Sequence, residues 1–211
     1  MKTLEIPPAN PCAKGYSISF ERPKTTLNLP KEEWEYYEIL YDKVQEDPRK
    51  HFDALVEFSQ RHPNVPEIAN LLAFVLLRLK RAKEAEALIE KTYRDHPQYL
   101  IARINYADQC LRKKKIARIP EIFQGCFDLH GLCPKKESFH YAEFRGFMTV
   151  MGFYHMEIGA LEEAEEYYQL AFQVDPLHPS VTALETRLFK ASNVKKILKA
   201  LQRLALILKK Q

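Results

Sequence analysis

Two stretches of this chain, about eighty residues apart, space their small side chains identically. Between Arg145 and Pro176 two apolar stripes of helical period follow one another. Met148, Met151, Gly152 and His155 share one face of the first helix, and Leu161, Ala164, Tyr168 and Ala171 share one face of the second. Gly159 lies between them, and Asp175-Pro176 ends the pair. Gly152 to Ala164 is twelve residues and Ala164 to Ala171 is seven; Ala73 to Ala85 is also twelve, and Ala85 to Thr92 seven. Small residues at matched points let the two helices of a hairpin approach closely, whereas larger ones would force them apart. The repeated spacing therefore predicts the same helical hairpin at both places.

The residues at those positions follow a known pattern. Met148-x2-Met151-Gly152-x2-His155, Ala164-x3-Tyr168 and Pro176 resemble the tetratricopeptide repeat, as do Ala69-x2-Leu72-Ala73-x2-Leu76, Ala85-x3-Ile89 and Pro97. The resemblance covers 66–176 well and 31–63 loosely. Trp34, Tyr37, Leu40, Tyr41 and Val44 make one stripe of a first pair, but His51 stands where its second helix should carry a small residue. In a third unit Arg103 replaces a large apolar residue, while Tyr106-Ala107-x2-Cys110, Ile119, Phe123 and Cys126 keep the pattern. The resemblance implies an all-α fold: a right-handed superhelix of stacked antiparallel hairpins, an α-solenoid, closed by a C-terminal capping helix.

The expected organisation is an extended arm over 1–30, repeat units at 31–65, 66–99, 100–133 and 145–176 with an insert at 134–144, and basic capping helices over 177–211. Five prolines forbid a long helix in the first thirty residues. The run Tyr16-Ser17-Ile18-Ser19-Phe20 alternates like a strand, but a lone strand in a helical array has nothing to pair with. Ile119 to Ala164 is 45 residues rather than one repeat, so the insert is expected to turn and then to lengthen the next helix backwards through Phe139, Tyr141 and Phe144.

Function follows from the groove that such a stack would form. The residues turned away from the hairpin partner are Asn70, Phe74, Leu77 and Arg78, then Asn105, Asp108 and Arg112, then Thr149, Phe153 and Met156. Apolar surface with a few amides and charges suits a peptide segment. The competing reading makes the large apolar members core, covered by residues 1–30 or by the final helix. The resemblance implies a non-catalytic protein-protein interaction module: an adaptor, a scaffold or a chaperone-like protein. The two-basic, two-asparagine clamp of the chaperone-binding members is not recognisable, because Ile101, Ile104 and Gly146 stand at the helpful positions.

The net charge of +4 is carried by the tail: from Leu177 onward there are eight Lys or Arg and one acid, Glu185. Val194, Ile197, Leu198, Leu201, Leu204, Ala205 and Leu208 form an apolar face, with Lys195, Lys196, Lys199 and Arg203 among the cations beside it. This helix is read as a cap, with homodimerisation and binding to membrane or nucleic acid as the alternatives. The cluster Arg112-Lys113-Lys114-Lys115 is read as a solvated helix end. Cys126, His130, Cys133 and His140 are four potential zinc ligands whose spacing fits no common zinc motif. No nucleophile elbow and no phosphate loop occurs, so neither an enzyme nor a cofactor is expected. Cysteines on core faces, with no leader-like or membrane-length apolar run, point to a cytoplasmic protein.

Overall fold

A computed structural model describes residues 3–7, 15–21 and 29–191. The chain divides into two compact units, one formed by 21–113 and the other by 1–20 together with 114–211.

The first unit is built from helices α1 (Lys31–Glu46), α2 (Phe52–Arg61), α3 (Pro66–Arg78), α4 (Ala82–Asp95) and α5 (Leu100–Arg112). Pro66 opens α3 at the one helical turn where a missing N–H costs nothing. Asp47 links α1 to α2, its carboxylate accepting from the N–H groups of Arg49 and Lys50 at 3.1 Å. The α1 stripe is buried as expected at Tyr37, Leu40 and Val44, and it packs with Leu55, Phe58, Ile68, Leu71 and Val75. Ala73 and Ala85 are both buried at the α3–α4 approach. Arg103 has an explanation that its type conceals. It is buried, with Nε donating to the Pro97 carbonyl and Nη2 to Gln98 Oε1 at 3.2 Å, so its charge is spent on local backbone and amide oxygens.

The α3–α4 and α8–α9 turns share one geometry. Lys80 (φ 61°) and Gly159 (φ 82°) each lie five residues before the small residue of the following helix, Ala85 or Ala164. Each helix end is closed by the same pair of bonds, Lys80 N to Leu77 O and Arg81 N to Leu76 O in one case, Gly159 N to Met156 O and Ala160 N to His155 O in the other. Lys114 (φ 58°) stands five residues before Ile119 in the same way. Two of the three left-handed positions are therefore lysines, which bear a strain glycine does not.

The second unit contains the largest departure from expectation. Strands β1 (Thr3–Ile6), β2 (Tyr16–Ser19) and β3 (Ser138–His140) form a sheet in that order. Ile18 pairs antiparallel with Leu4 and parallel with Phe139. The all-α fold class is thus corrected to a mostly helical fold with a small sheet, and the alternating run at 16–19 has partners on both sides. The insert supplies one of them. Its helix reaches back only to Tyr141, because Phe139 is taken by the sheet.

The helices of this unit are α6 (Arg118–Ile122), α7 (Leu129–Leu132), α8 (Tyr141–Glu157), α9 (Leu161–Val174) and α10, described over 179–191. α6 is much shorter than a repeat helix. Gln124 (φ 56°) and Gly125 (φ 70°) turn the chain out of it, so Cys126 lies in a loop and is only half-buried. The final helix expected at 194–210, with Lys195, Lys196, Lys199 and Arg203, lies outside the described residues.

Candidate binding surface

Seven of the ten groove residues belong to the first unit, on α3 and α5. Asn105 Nδ2 donates to Asn70 Oδ1 at 2.5 Å, tying the two helices through their amides. One turn beyond Asn70, Phe74 is 40% exposed, and Leu77 is 41% exposed. These two are surface rather than core. Arg78 is held against them, its guanidinium 5.8 Å from the Phe74 ring centre and its Nη1 donating to the Gln45 carbonyl of α1 at 2.6 Å. On α5, Arg112 Nε donates to Asp108 at 2.9 Å. On α1 Ile39 is 52% exposed, and the sequence reading had not chosen it. Ile39 precedes Phe74 by 35 residues, as Asn70 precedes Asn105, so the repeat register was the signal that could have found it.

The remaining three groove residues lie in the second unit. Thr149 is buried and its hydroxyl donates to the Gly146 carbonyl at 3.1 Å, so it belongs to the packing of α8. Phe153 and Met156 are half-buried, and the Arg187 guanidinium covers the Phe153 ring at 5.4 Å.

The other singled-out groups are engaged structurally. In the basic cluster Lys113 pairs with Glu86 at 2.8 Å and Lys114 with Glu157 at 2.8 Å. His130 Nε2 meets the Gly15 carbonyl at 3.0 Å and its ring stacks on Tyr16 at 4.7 Å. Cys126 Sγ donates to the Asp128 carbonyl at 3.2 Å, and the His140 ring leans on Tyr141 at 4.5 Å. Among the described residues no three His, Cys, Asp or Glu side chains gather as a metal-binding group. No helix among them is long and apolar enough to cross a membrane.

His155 has a different environment. Phe127, Tyr154 and Tyr167 surround its ring at 5.8, 5.2 and 5.2 Å, and both ring nitrogens are buried without a partner. Tyr167 donates to the Phe127 carbonyl at 2.7 Å, and burial pushes its hydroxyl up to about 12. Burial also holds His155 below the usual imidazole range, against the opposing pull of Glu163 and Glu166. His178 is lowered as well, by burial and then by Arg145. Such histidines stay neutral in the folded state while the unfolded chain takes up protons below about pH 6.5. Stability is therefore full above that pH and falls as pH drops through it toward the folded values. Melting temperature should fall between about pH 7 and pH 5, and less steeply in His155→Phe, which keeps the aromatic packing and removes one titrating ring. Identical slopes for the two proteins would show that the cluster does not resist protonation.

The matched hairpins give the backbone a recognisable course. The chain is similar to MamA. One structure, MamA 41-end from Desulfovibrio magneticus RS-1, aligns with a TM-score of 0.48 and 15% identity over 82% of this chain and 97% of that one. A second, the MamA RS-1 ArsTM double mutant, aligns with a TM-score of 0.47 and 15% identity over 79% of this chain and 97% of that one. No protein-family model and no curated protein matches the sequence. The repeat character of the chain stands on the hairpins themselves, their common turn and the small residues between their helices.

Proposed function

We propose that the protein is a non-catalytic binding module, an adaptor, scaffold or chaperone-like protein, that takes a peptide segment on the α1–α3–α5 side of its first unit. The observation that carries this reading is the pairing of two rows at repeat spacing. Ile39 and Phe74, joined by Leu77, offer exposed apolar side chains, and Asn70 and Asn105 offer amides beside them. The hydrogen bond between the asparagines leaves Asn70 Nδ2 to donate and Asn105 Oδ1 to accept, the complement of one peptide group's C=O and N–H. Exposed apolar side chains flanked by polar groups are the ordinary make-up of a peptide-binding surface. The repeat boundaries at 31–65, 66–99, 100–133 and 145–176 are part of this proposal. The groove is assigned to the first unit alone.

The test is peptide selection on the wild-type chain, followed by titration of a selected peptide into Phe74→Asp and Asn70→Ala. Phe74 is already half in water, so Phe74→Asp should leave the melting temperature nearly unchanged and weaken the peptide at least tenfold. Asn70→Ala should weaken it by about 1 kcal/mol, the net worth of one hydrogen bond. A peptide that binds Phe74→Asp as tightly as wild type would move the site elsewhere.

A further inference from the structure

The cations on the α1–α3–α5 side of the first unit are not alike. On α5 each has an acid: Arg112 donates to Asp108 at 2.9 Å, and Lys113 pairs with Glu86 at 2.8 Å. On α3 Arg78 has no carboxylate partner among the described residues. Its Nη1 donates to the Gln45 carbonyl at 2.6 Å, and its guanidinium stands 5.8 Å from the Phe74 ring centre. A carbonyl and a ring fix where the guanidinium sits without cancelling its charge. Arg78 is thus exposed, held in place and uncompensated, with Nε and Nη2 left to donate. Lys43 stands one repeat earlier, 35 residues before Arg78, but Asp42 and Glu46 share its turn of α1. Arg78 is the better place for an anion.

We propose that the peptide taken by this side is extended and carries an acidic side chain two positions from its apolar anchor, with Arg78 receiving the carboxylate. This rests on the reading of the side as a peptide-binding surface and names what that surface selects. Along α3, Asn70, Phe74 and Arg78 follow one another at four-residue steps, so an amide, an aromatic ring and a cation share one face. The Asn70–Asn105 pair offers one donor and one acceptor. An extended segment has backbone groups free to answer them, whereas the interior of a helix bonds its N–H and C=O groups to itself. Side chains four apart on a helix stand about 6 Å from each other, and alternate residues of an extended chain about 6.6 Å. A residue seated on Phe74 therefore brings the side chain two positions away to Arg78. Charge complementarity makes that side chain an acid, because any other would take the guanidinium out of water without an anion to meet it. The free edge of Nε and Nη2 suits a carboxylate, which accepts two parallel bonds from such a fork.

Panning a random peptide-display library on the full wild-type chain tests this, followed by titration of one selected peptide and of the same peptide with its carboxylate replaced by the amide. The selected sequences should share an acid two positions from a large apolar residue. The amide form should bind the wild type at least about tenfold more weakly, the worth of a hydrogen bond to a charged group. Arg78→Gln should bind the two forms alike. Arg78→Lys keeps the charge without the fork and should restore part of the difference. Arg78 is exposed, so both variants should melt near the wild type, and the comparison of acid with amide within each variant does not depend on its stability. If Arg78→Gln still tells the two forms apart as well as the wild type does, the carboxylate is held elsewhere and the proposal is overturned. Selected peptides without the acid, whose binding is nonetheless lost in Phe74→Asp, also overturn it and leave the peptide surface standing. Peptides indifferent to Phe74→Asp remove both.

Discussion

A chain that lacks residues 1–20 should lose the fold of its C-terminal half while keeping the helices of 21–113. The reason is the position of β2. It is the middle strand of the sheet, and its partner β3 lies about 120 residues further on in the sequence. Ile18 is completely buried, and so are Phe139 and Phe144. The Tyr16 ring meets Phe139 and Phe144 edge-on at 6.1 and 5.0 Å and stacks on His130. Its hydroxyl donates to Asp128, whose other oxygen accepts from the Gly131 N–H at 2.8 Å and caps α7. Burial and Asp128 together raise the Tyr16 pKa well above the usual phenol value, so the donor is present at every ordinary pH.

Ile6, Tyr16 and Ile18 each contribute about 1.5–3 kcal/mol by burial, before the loss of strand bonds and of the cap on α7 is counted. A whole domain is stable by only about 5–15 kcal/mol, so the sum is decisive. Hydrogen exchange should show β3 and α8 unprotected in the truncated chain and α3 and α4 still protected. Ile18→Asp in the full chain should act in the same direction, because it buries an unpaired carboxylate between two strands. Undiminished protection of α8 after truncation would mean that the sheet is an ornament on the unit and not part of its core.

The hairpins were legible in the sequence because their signals are local. An apolar stripe of period 3.6 and small residues twelve and seven apart lie within thirty residues of one another, and α3–α4 and α8–α9 appear where those signals fall. The sheet was not legible for the opposite reason. β3 is three residues long and sits in an insert, so Ser138-Phe139-His140 offers no periodicity, and nothing near Tyr16 in the sequence announces its partner. The short α6 was hidden too. Ile119 and Phe123 keep the repeat spacing, but the left-handed turn at Gln124 and Gly125 ends the helix before Cys126 can join its face. On α3 the exposure of Phe74 and Leu77 followed from helical phase. Ile39 was missed because α1 was read only for its buried stripe. Thr149 could not be separated from exposed positions, since phase fixes the direction a side chain takes and not what later covers it.

Enlarging Gly152 should be the most damaging single substitution among the small residues. A Cβ built there would stand 2.5 Å from Leu184 Cδ2, 3.3 Å from Leu184 Cδ1 and 3.5 Å from the Ala164 carbonyl oxygen. The tightest approach is thus to α10, and the hairpin partner α9 comes second. The small residue serves stacking onto the next helix as well as closure of its own pair. In Gly152→Ala the new methyl gains about 1 kcal/mol of helix propensity. It must also push aside a leucine that is completely buried, so a net loss of about 1–2 kcal/mol is expected. Gly152→Leu cannot be accommodated by one rotamer change and should lose about 3 kcal/mol or more. Denaturant unfolding combined with a double-mutant cycle reads the cause directly. Leu184→Ala alone leaves a cavity and costs about 2–5 kcal/mol. Placed beside Gly152→Ala it should cost markedly less, because the added methyl fills part of the space that the leucine vacates. Additive losses in the double variant would assign the strain in Gly152→Ala to the α9 backbone at Ala164, and the shared spacing of twelve residues between the two helices would then be a property of the hairpin alone.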